Sequence, residues 1–300
     1  MTTIPKSVQV ASHERTVQPA PSPSSVVALP PDPDHQQLAA IARDLRFHPG
    51  APSRARTLTA SQVDAYNRDG YLTGIPILSP SEVLAHRSWF DGLLERTLAT
   101  GRDSYSIRAA HLRFRSVHAL LSHPRILACV RDLIGDGVVG WGSHYFCKLP
   151  RDGKVVHWHQ DASYWPLTPS KTVTAWLAID DSRVENACMR VIPGSHHLGH
   201  LTYRMAEDSA NAVLDQQVES AQEFGDPVDL ILAAGQISLH SDLLLHSSGA
   251  NTSSLRRCGL TLRYCAADVR AEFGWNAKGV VLCGADLSGH WTGGVPAGDD

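Results

Sequence analysis

His159 and Asp161 stand two apart in HWHQDASYWP (157–166), and His240 and His246 follow about 80 residues later in GQISLHSDLLLHSSGAN (235–251). Side chains two apart on a strand point the same way, so His159 and Asp161 can converge on one ion. A distant strand would supply the second imidazole, from either His240 or His246. An HxD pair alone is weak, since most chance occurrences are surface pairs. Two histidines and one carboxylate on one face of a metal leave three adjacent positions open, which suits iron with a bidentate ligand and O₂. Zinc usually closes a tetrahedral shell instead. Arg257 lies 11 residues after His246. A turn at Ser248–Asn251 would return it on the neighbouring strand, its fork aimed at the far carboxylate of a dicarboxylate bound end-on to the metal. Read alone, Arg256 and Arg257 are equally well solvated residues entering a strand, and Arg263 on the same strand is the next candidate anchor.

Elements that hold such a set must bring distant strands together. Thr59-x-x-Gln62 is a capping box opening a short helix that ends at Gly70. Ser79-Pro80-Ser81-Glu82 repeats the device for a helix to about Leu98, and a third helix fits His123–Ile134. From Val138 the texture changes to short β-rich runs separated by turn residues: 138–148, 154–160, 172–180, 188–192, 228–232, 236–241, 243–247 and 258–267. Eight such strands after an α-rich N-terminal third predict a mainly β fold with α, a two-sheet jelly roll (double-stranded β-helix, cupin-like) with helices packed outside. No helices alternate with the strands, which disfavours a parallel α/β fold.

Residues 1–55 are rich in Pro, Ser and Ala, as in PAPSPSSVVALPPDPD (19–34). They predict a disordered or loosely packed arm, with at most a short helix at 35–45, ahead of one catalytic domain over 56–300. Deleting the arm to about residue 50 is expected to leave activity and thermal stability nearly unchanged. A chain of 300 residues, 43% hydrophobic, supports one large core. A formal charge of −3 gives no footprint for nucleic acid or an anionic membrane, and no apolar run approaches a membrane span. Six scattered cysteines without a CxxC pair, and no secretory leader, predict reduced thiols in a cytoplasmic protein. Cys258 and Cys265 are expected to be core thiols.

The blocks LTASQVDAYNRDGYL (58–72), HQDASYWPLTPSKTVTAWLAIDD (159–181), NACMRVIPGSHHLG (186–199), AGQISLHSDLLLHSSGAN (234–251) and RRCGLTLRY (256–264) occur in this order. From about Leu58 to the C-terminus the chain resembles the phytanoyl-CoA dioxygenase family of iron(II)/2-oxoglutarate oxygenases. The resemblance implies Fe(II) as metal, with 2-oxoglutarate and O₂ as co-substrates. It implies His159, Asp161 and His246 as iron ligands, with His240 a strand or pocket histidine because the Ser-Gly turn and the arginine spacing follow His246. It places Arg257 and Ser248 on the distal 2-oxoglutarate carboxylate and Trp176 beside the co-substrate. His144 falls where the family uses a residue of variable type against 2-oxoglutarate, and His111 where a polar group often reaches the same pocket.

Tyr164 and Trp165 follow the HxD motif and are expected at the substrate mouth. His157 would neighbour the substrate on the same strand face, since pairing it with His159 as metal ligands leaves Asp161 without a role. Arg190 has two equal readings, a substrate anion inside the barrel or a structural ion pair. His196-His197 follow a Pro-Gly-Ser turn and read as loop residues. Gln160 should point away from the metal.

The resulting expectation is an oxygenase that oxidises a C–H bond of a small molecule, by hydroxylation or by desaturation, epoxidation or cyclisation, in secondary-metabolite biosynthesis. Halogenating relatives carry a small residue at the carboxylate position, and Asp161 fills it here. A non-catalytic jelly-roll binding protein would have lost a ligand or Arg257, and none is lost. A zinc hydrolase would need a free general base, whereas the resemblance commits Asp161 to the metal.

Overall fold

The computed structural model describes residues 29–207 and 211–295. Its first helices start where capping side chains put them. Asp34 caps α1 (His35–Ala40), Thr59 caps α2 (Ala60–Asp69) and Ser79 caps α3 (Pro80–Ala99); in each, a Gln or Glu at the third position accepts from the backbone N–H of the cap residue. Gly70 ends α2 at φ 84°, and a Cβ there would sit 2.6 Å from His196 Nδ1, so glycine is required on both counts. α4 (Arg115–Leu121) and α5 (Pro124–Ile134) complete the helical layer.

The strands of the two main sheets are β1 (Tyr71–Pro76), β2 (Val138–Lys148), β3 (Val156–His159), β4 (Thr172–Ala178), β5 (Met189–Val191), β6 (Val228–Leu230), β7 (Gln236–His240), β8 (His246–Ser248), β9 (Arg257–Ala266) and β10 (Val280–Cys283). They form a six-stranded antiparallel sheet, β1-β7-β4-β9-β2-β10, and a four-stranded antiparallel sheet, β3-β8-β5-β6. From β2 to β9 the chain crosses between the sheets at every step except β5 to β6. The expected run at 138–148 coincides with β2. That at 243–247 becomes strand only at His246, because Ser241–Leu245 turn inward with Leu243, Leu244 and Leu245 fully buried. Neither α4 nor the two edge strands β1 and β10 was expected; in β1, Gly74 and Pro76 interrupt the alternation on which a strand is read.

The six-stranded sheet is two-sided. Val173, Ala175 and Leu177 of β4, Ile237 and Leu239 of β7, and Cys258, Leu260, Leu262 and Tyr264 of β9 pack against Phe90, Leu93, Ile126, Val130 and Leu133 of the helices. Full burial of one such leucine stabilises by about 1.5–3 kcal/mol. The alternate residues turn to the space between the sheets. Among the described residues no helix is long and apolar enough to cross a membrane. All six cysteines are free, five of them buried.

The expectation of a loose arm over 1–55 is corrected for residues 29–55; residues 1–28 lie outside the described residues. Arg43 Nη1 donates to the carbonyls of Ala162 and Trp165, both at 2.8 Å. The Ser170 N–H donates to the Asp44 carbonyl (2.8 Å), and Trp275 Nε1 donates to the Pro31 carbonyl (3.3 Å). Leu38 is buried. A segment too poor in apolar residues for a core of its own is held by polar contacts to loops more than a hundred residues away, which composition does not reveal.

Candidate metal and co-substrate site

His159 closes β3, and Asp161 opens the one-turn 3-10 helix Asp161–Tyr164 that follows it. β8 pairs antiparallel with β3 so that His246 lies opposite His159. The ligand atoms of His159, Asp161 and His246 lie within 4.8 Å of one another, and all three side chains are buried. Asp161 Oδ1 is 3.8 Å from His159 Nε2 and 4.0 Å from His246 Nε2.

Each imidazole is oriented from behind. His159 Nδ1 donates to the His157 carbonyl (2.8 Å) and His246 Nδ1 to the Leu244 carbonyl (2.9 Å), which leaves both Nε2 lone pairs facing one point. Burial pushes both rings toward the neutral form, His246 well below the usual histidine range. Burial opposes the charge of Asp161, but His240, Arg263 and the two imidazoles outweigh it and hold the carboxyl below the usual range. Thr174 Oγ1 donates to Asp161 Oδ2 at 3.3 Å. This set fits a divalent metal.

At the far end of the same cavity Arg257 is 3% exposed, and its Nη2 donates to Ser248 Oγ at 3.3 Å. Its Nε is buried without a partner. Trp176 lies over the guanidinium, 5.5 Å from Cζ to ring centroid. The ring crosses β9 at Gly259, where any Cβ would overlap it. A buried, under-satisfied guanidinium in one cavity with three side chains able to hold a metal is suited to an anionic ligand.

Of the other expected residues, Tyr164 and Trp165 line a second chamber that shares Asp161 with the first. Tyr164 accepts from the Gln216 N–H at 3.0 Å, while Trp165 is also packed in a tryptophan cluster against Trp141, 4.5 Å between centroids. Gln160 points away from the metal side, as expected, and donates to the carbonyls of Gly199 and Leu243. His240 lines the cavity with Nε2 3.9 Å from Asp161 Oδ2, outside the ligand set. His196 is buried, with its Nε2 3.0 Å from the Asn67 carbonyl, and so belongs to the loop packing.

Three expectations are corrected, and of the two readings of Arg190 the ion pair is the one observed. His111 does not reach the co-substrate cavity: its Nδ1 is 2.9 Å from Ser143 Oγ and its Nε2 donates to the Lys278 carbonyl at 3.2 Å, so both nitrogens are used within the fold. His144 lines the second chamber rather than the first, with Nε2 donating to the Tyr105 carbonyl at 2.6 Å. His157 lines neither cavity. A register shift pairs Val156 with Ser248 and His159 with His246, so the strand takes an extra residue and the two-residue alternation that placed His157 beside His159 fails. Arg190 points outward between buried Met189 and Val191 and pairs with Asp229 at 3.1 Å.

Two residues of the site were not anticipated in these places. Thr174 shares a strand face with Trp176, a relation legible as two-residue spacing in TVTAWLA. Arg263, weighed only as a substitute for Arg257, lines both cavities.

The profile of the family described as Phytanoyl-CoA dioxygenase (PhyH) matches residues 66–259. The probable alpha-ketoglutarate-dependent hypophosphite dioxygenase of Stutzerimonas stutzeri is 29% identical over 160 residues, 53% of this chain and 56% of its own. The chain thus spans little more than half the length of that curated relative. The L-proline trans-4-hydroxylase of Streptomyces griseoviridis is 27% identical over 240 residues, 69% of this chain and 88% of its own. Among solved structures, the epimerase SnoN in complex with Fe3+, alpha ketoglutarate and nogalamycin RO is 25% identical with a TM-score of 0.57, covering 69% of this chain and 83% of its own.

Proposed function

The chain belongs to the phytanoyl-CoA dioxygenase family, and on that premise we propose that it is an iron(II)- and 2-oxoglutarate-dependent oxygenase oxidising a C–H bond of a small molecule, by hydroxylation, in secondary-metabolite biosynthesis. The observation that carries this is the single cavity with His159, Asp161 and His246 at one end and Arg257, incompletely paired, at the other. The strand order, with the chain alternating between two antiparallel sheets, supports a double-stranded β-helix as its frame. The domain is assigned to 56–300, with residues 29–55 packed onto it.

When bound, iron supplies the redox chemistry with O₂ and 2-oxoglutarate. The protein's own contribution is placement. His159 and His246 present neutral Nε2 donors locked by backbone carbonyls, and Asp161 adds the third ligand, steadied by Thr174. Arg257, bonded to Ser248 and lying beside the Trp176 ring, would hold the distal carboxylate of 2-oxoglutarate, with Trp176 beside the co-substrate. Leu243, Leu244 and Leu245, fully buried beside β8, keep water from the ligand strand. Asp161 also fills the coordination position that a halide would need, so halogen transfer is not expected.

Relatives described as a hydroxylase and as an epimerase support two readings of the outcome, and desaturation, epoxidation or cyclisation on the same residues is the alternative. Succinate formation from 2-oxoglutarate, dependent on added iron(II), tests the class. Mass spectrometry of products in excess chloride tests the outcome: one added oxygen supports hydroxylation, two lost hydrogens favour the alternative, and a chlorinated product contradicts both.

A further inference from the structure

Arg263 is a half-buried cation that the fold leaves without an ion pair. It stands six residues past Arg257 on β9, on the same side of the sheet. Its Cζ lies 5.1 Å from the Trp165 ring centroid and 5.8 Å from that of Trp141. Opposite it on β2 is Gly142, where a Cβ would come within 3.2 Å of Arg263 Cδ, so the missing side chain makes room for the arginine. Its Nε is buried without a hydrogen-bond partner, and no described residue forms an ion pair with the guanidinium. An arginine stays charged in a protein. Half-buried and without an ion pair, it keeps hydrogen-bonding capacity that a ligand in front of it could complete.

Its surroundings say what that is. Arg263 faces a chamber of about 380 Å³ lined by Asp161, His144, Tyr164 and Trp165 and covered by Leu29–Pro33 of the N-terminal arm. That volume suits a small organic molecule. Two other cations line the chamber, and both are engaged by the arm: Lys278 Nζ is 3.0 Å and Arg108 Nη1 3.8 Å from the Asp32 carboxylate. The carboxylate that most directly feels Arg263 is Asp161, which the reading above commits to the metal. Arg263 is therefore the lining cation left open, seated where the chamber meets the metal site.

We propose that Arg263 receives an oxyanion of the substrate, a carboxylate, sulfate or phosphate group, and so fixes which C–H bond is turned toward the metal. This rests on the oxygenase reading for the chamber being the substrate's. The other source of an oxyanion at this point is the metal-side carboxylate of 2-oxoglutarate itself, and the test separates the two.

The test is thermal unfolding of the full chain loaded with zinc(II) and 2-oxoglutarate, in which no turnover occurs. Wild type, Arg263→Met and Arg263→Lys are compared in sodium acetate, sulfate or phosphate against sodium chloride at equal ionic strength. Comparing proteins in the same salt removes the general stabilisation that sulfate and phosphate give any fold. At least one oxyanion should raise the midpoint of wild type above that of Arg263→Met, corresponding to binding weakened roughly tenfold or more. Arg263→Lys should fall between. In sodium chloride Arg263→Met should melt within a few degrees of wild type, since the change breaks no ion pair, and its 2-oxoglutarate affinity should stay within about twofold. The proposal is overturned if no oxyanion separates the proteins, or if Arg263→Met already melts well below wild type in sodium chloride or fails to fold, which marks a structural cation. It is also overturned if 2-oxoglutarate weakens as much as in Arg257→Leu, which gives Arg263 to the co-substrate. A failed oxygenase reading looks different: wild type itself then shows no shift with zinc(II) and 2-oxoglutarate.

Discussion

On β9 the even-numbered residues Cys258, Leu260, Leu262 and Tyr264 pack under the helices, while Arg257, Thr261 and Arg263 turn to the space between the sheets. The helix-covered face is apolar, and its few polar groups are matched: the Tyr264 hydroxyl donates to the Leu121 carbonyl at 2.9 Å, and the Tyr145 hydroxyl lies 2.8 Å from His86 Nε2. The inner face holds buried atoms without partners, among them Arg257 Nε, Arg263 Nε, His240 Nδ1 and Ser238 Oγ. One strand thus serves two purposes by alternation. The face that packs is complete in the protein alone, and the face that binds is left incomplete for ligands.

The largest expected effect breaks the inner face at its centre. Single replacement of His159, Asp161 or His246 by Ala should abolish iron-dependent turnover while circular dichroism and gel filtration stay those of wild type, because the core lies on the other face. Retained iron in His246→Ala, with loss in His240→Ala, would overturn the ligand assignment. Next, Arg257→Leu should raise the 2-oxoglutarate KM by about two orders of magnitude, since a charge-assisted contact of roughly 2–4 kcal/mol is lost. Iron affinity, measured by titration, should change far less.

The outer face should respond the opposite way. Leu260→Ala removes a fully buried side chain and should cost about 2–5 kcal/mol in denaturant unfolding, with 2-oxoglutarate KM unaltered near the midpoint of its tolerance. Removing residues up to 50 should lower the melting temperature by a few degrees, roughly the effect of losing several hydrogen bonds, and should also lower turnover, because Arg43 braces the Asp161–Trp165 segment. Smallest is Arg190→Ala, which loses only an exposed pair with Asp229 and should change stability by less than about 1 kcal/mol and turnover not at all.

The sequence discloses this division unevenly. Capping boxes at Thr59 and Ser79 and the uninterrupted β2 pattern are local signals, and the helices and strand stand where those signals put them. Arg257 was legible because its spacing from His246 is set by one turn and one strand. The outward face of Arg190 was equally available, since buried Met189 and Val191 flank it, and alternation alone excludes it from the interior. His157 was not legible, because a bulge reverses alternation without a Gly or Pro to announce it. The arm's docking was hidden for another reason: Pro31 meets Trp275 and Arg43 meets Ala162, contacts whose partners no local pattern names.

The central claim, that this inner face holds iron and 2-oxoglutarate together, has a direct test in an anaerobic titration followed by visible absorption. A 2-oxo acid chelated to iron(II) gives a charge-transfer band that neither component shows alone. Wild type should develop the band only when both are added, with one iron per chain. Asp161→Ala and His246→Ala should lose it, and Arg257→Leu should require far more 2-oxoglutarate to reach it. No band in wild type, or an unchanged band in His246→Ala, would contradict the account.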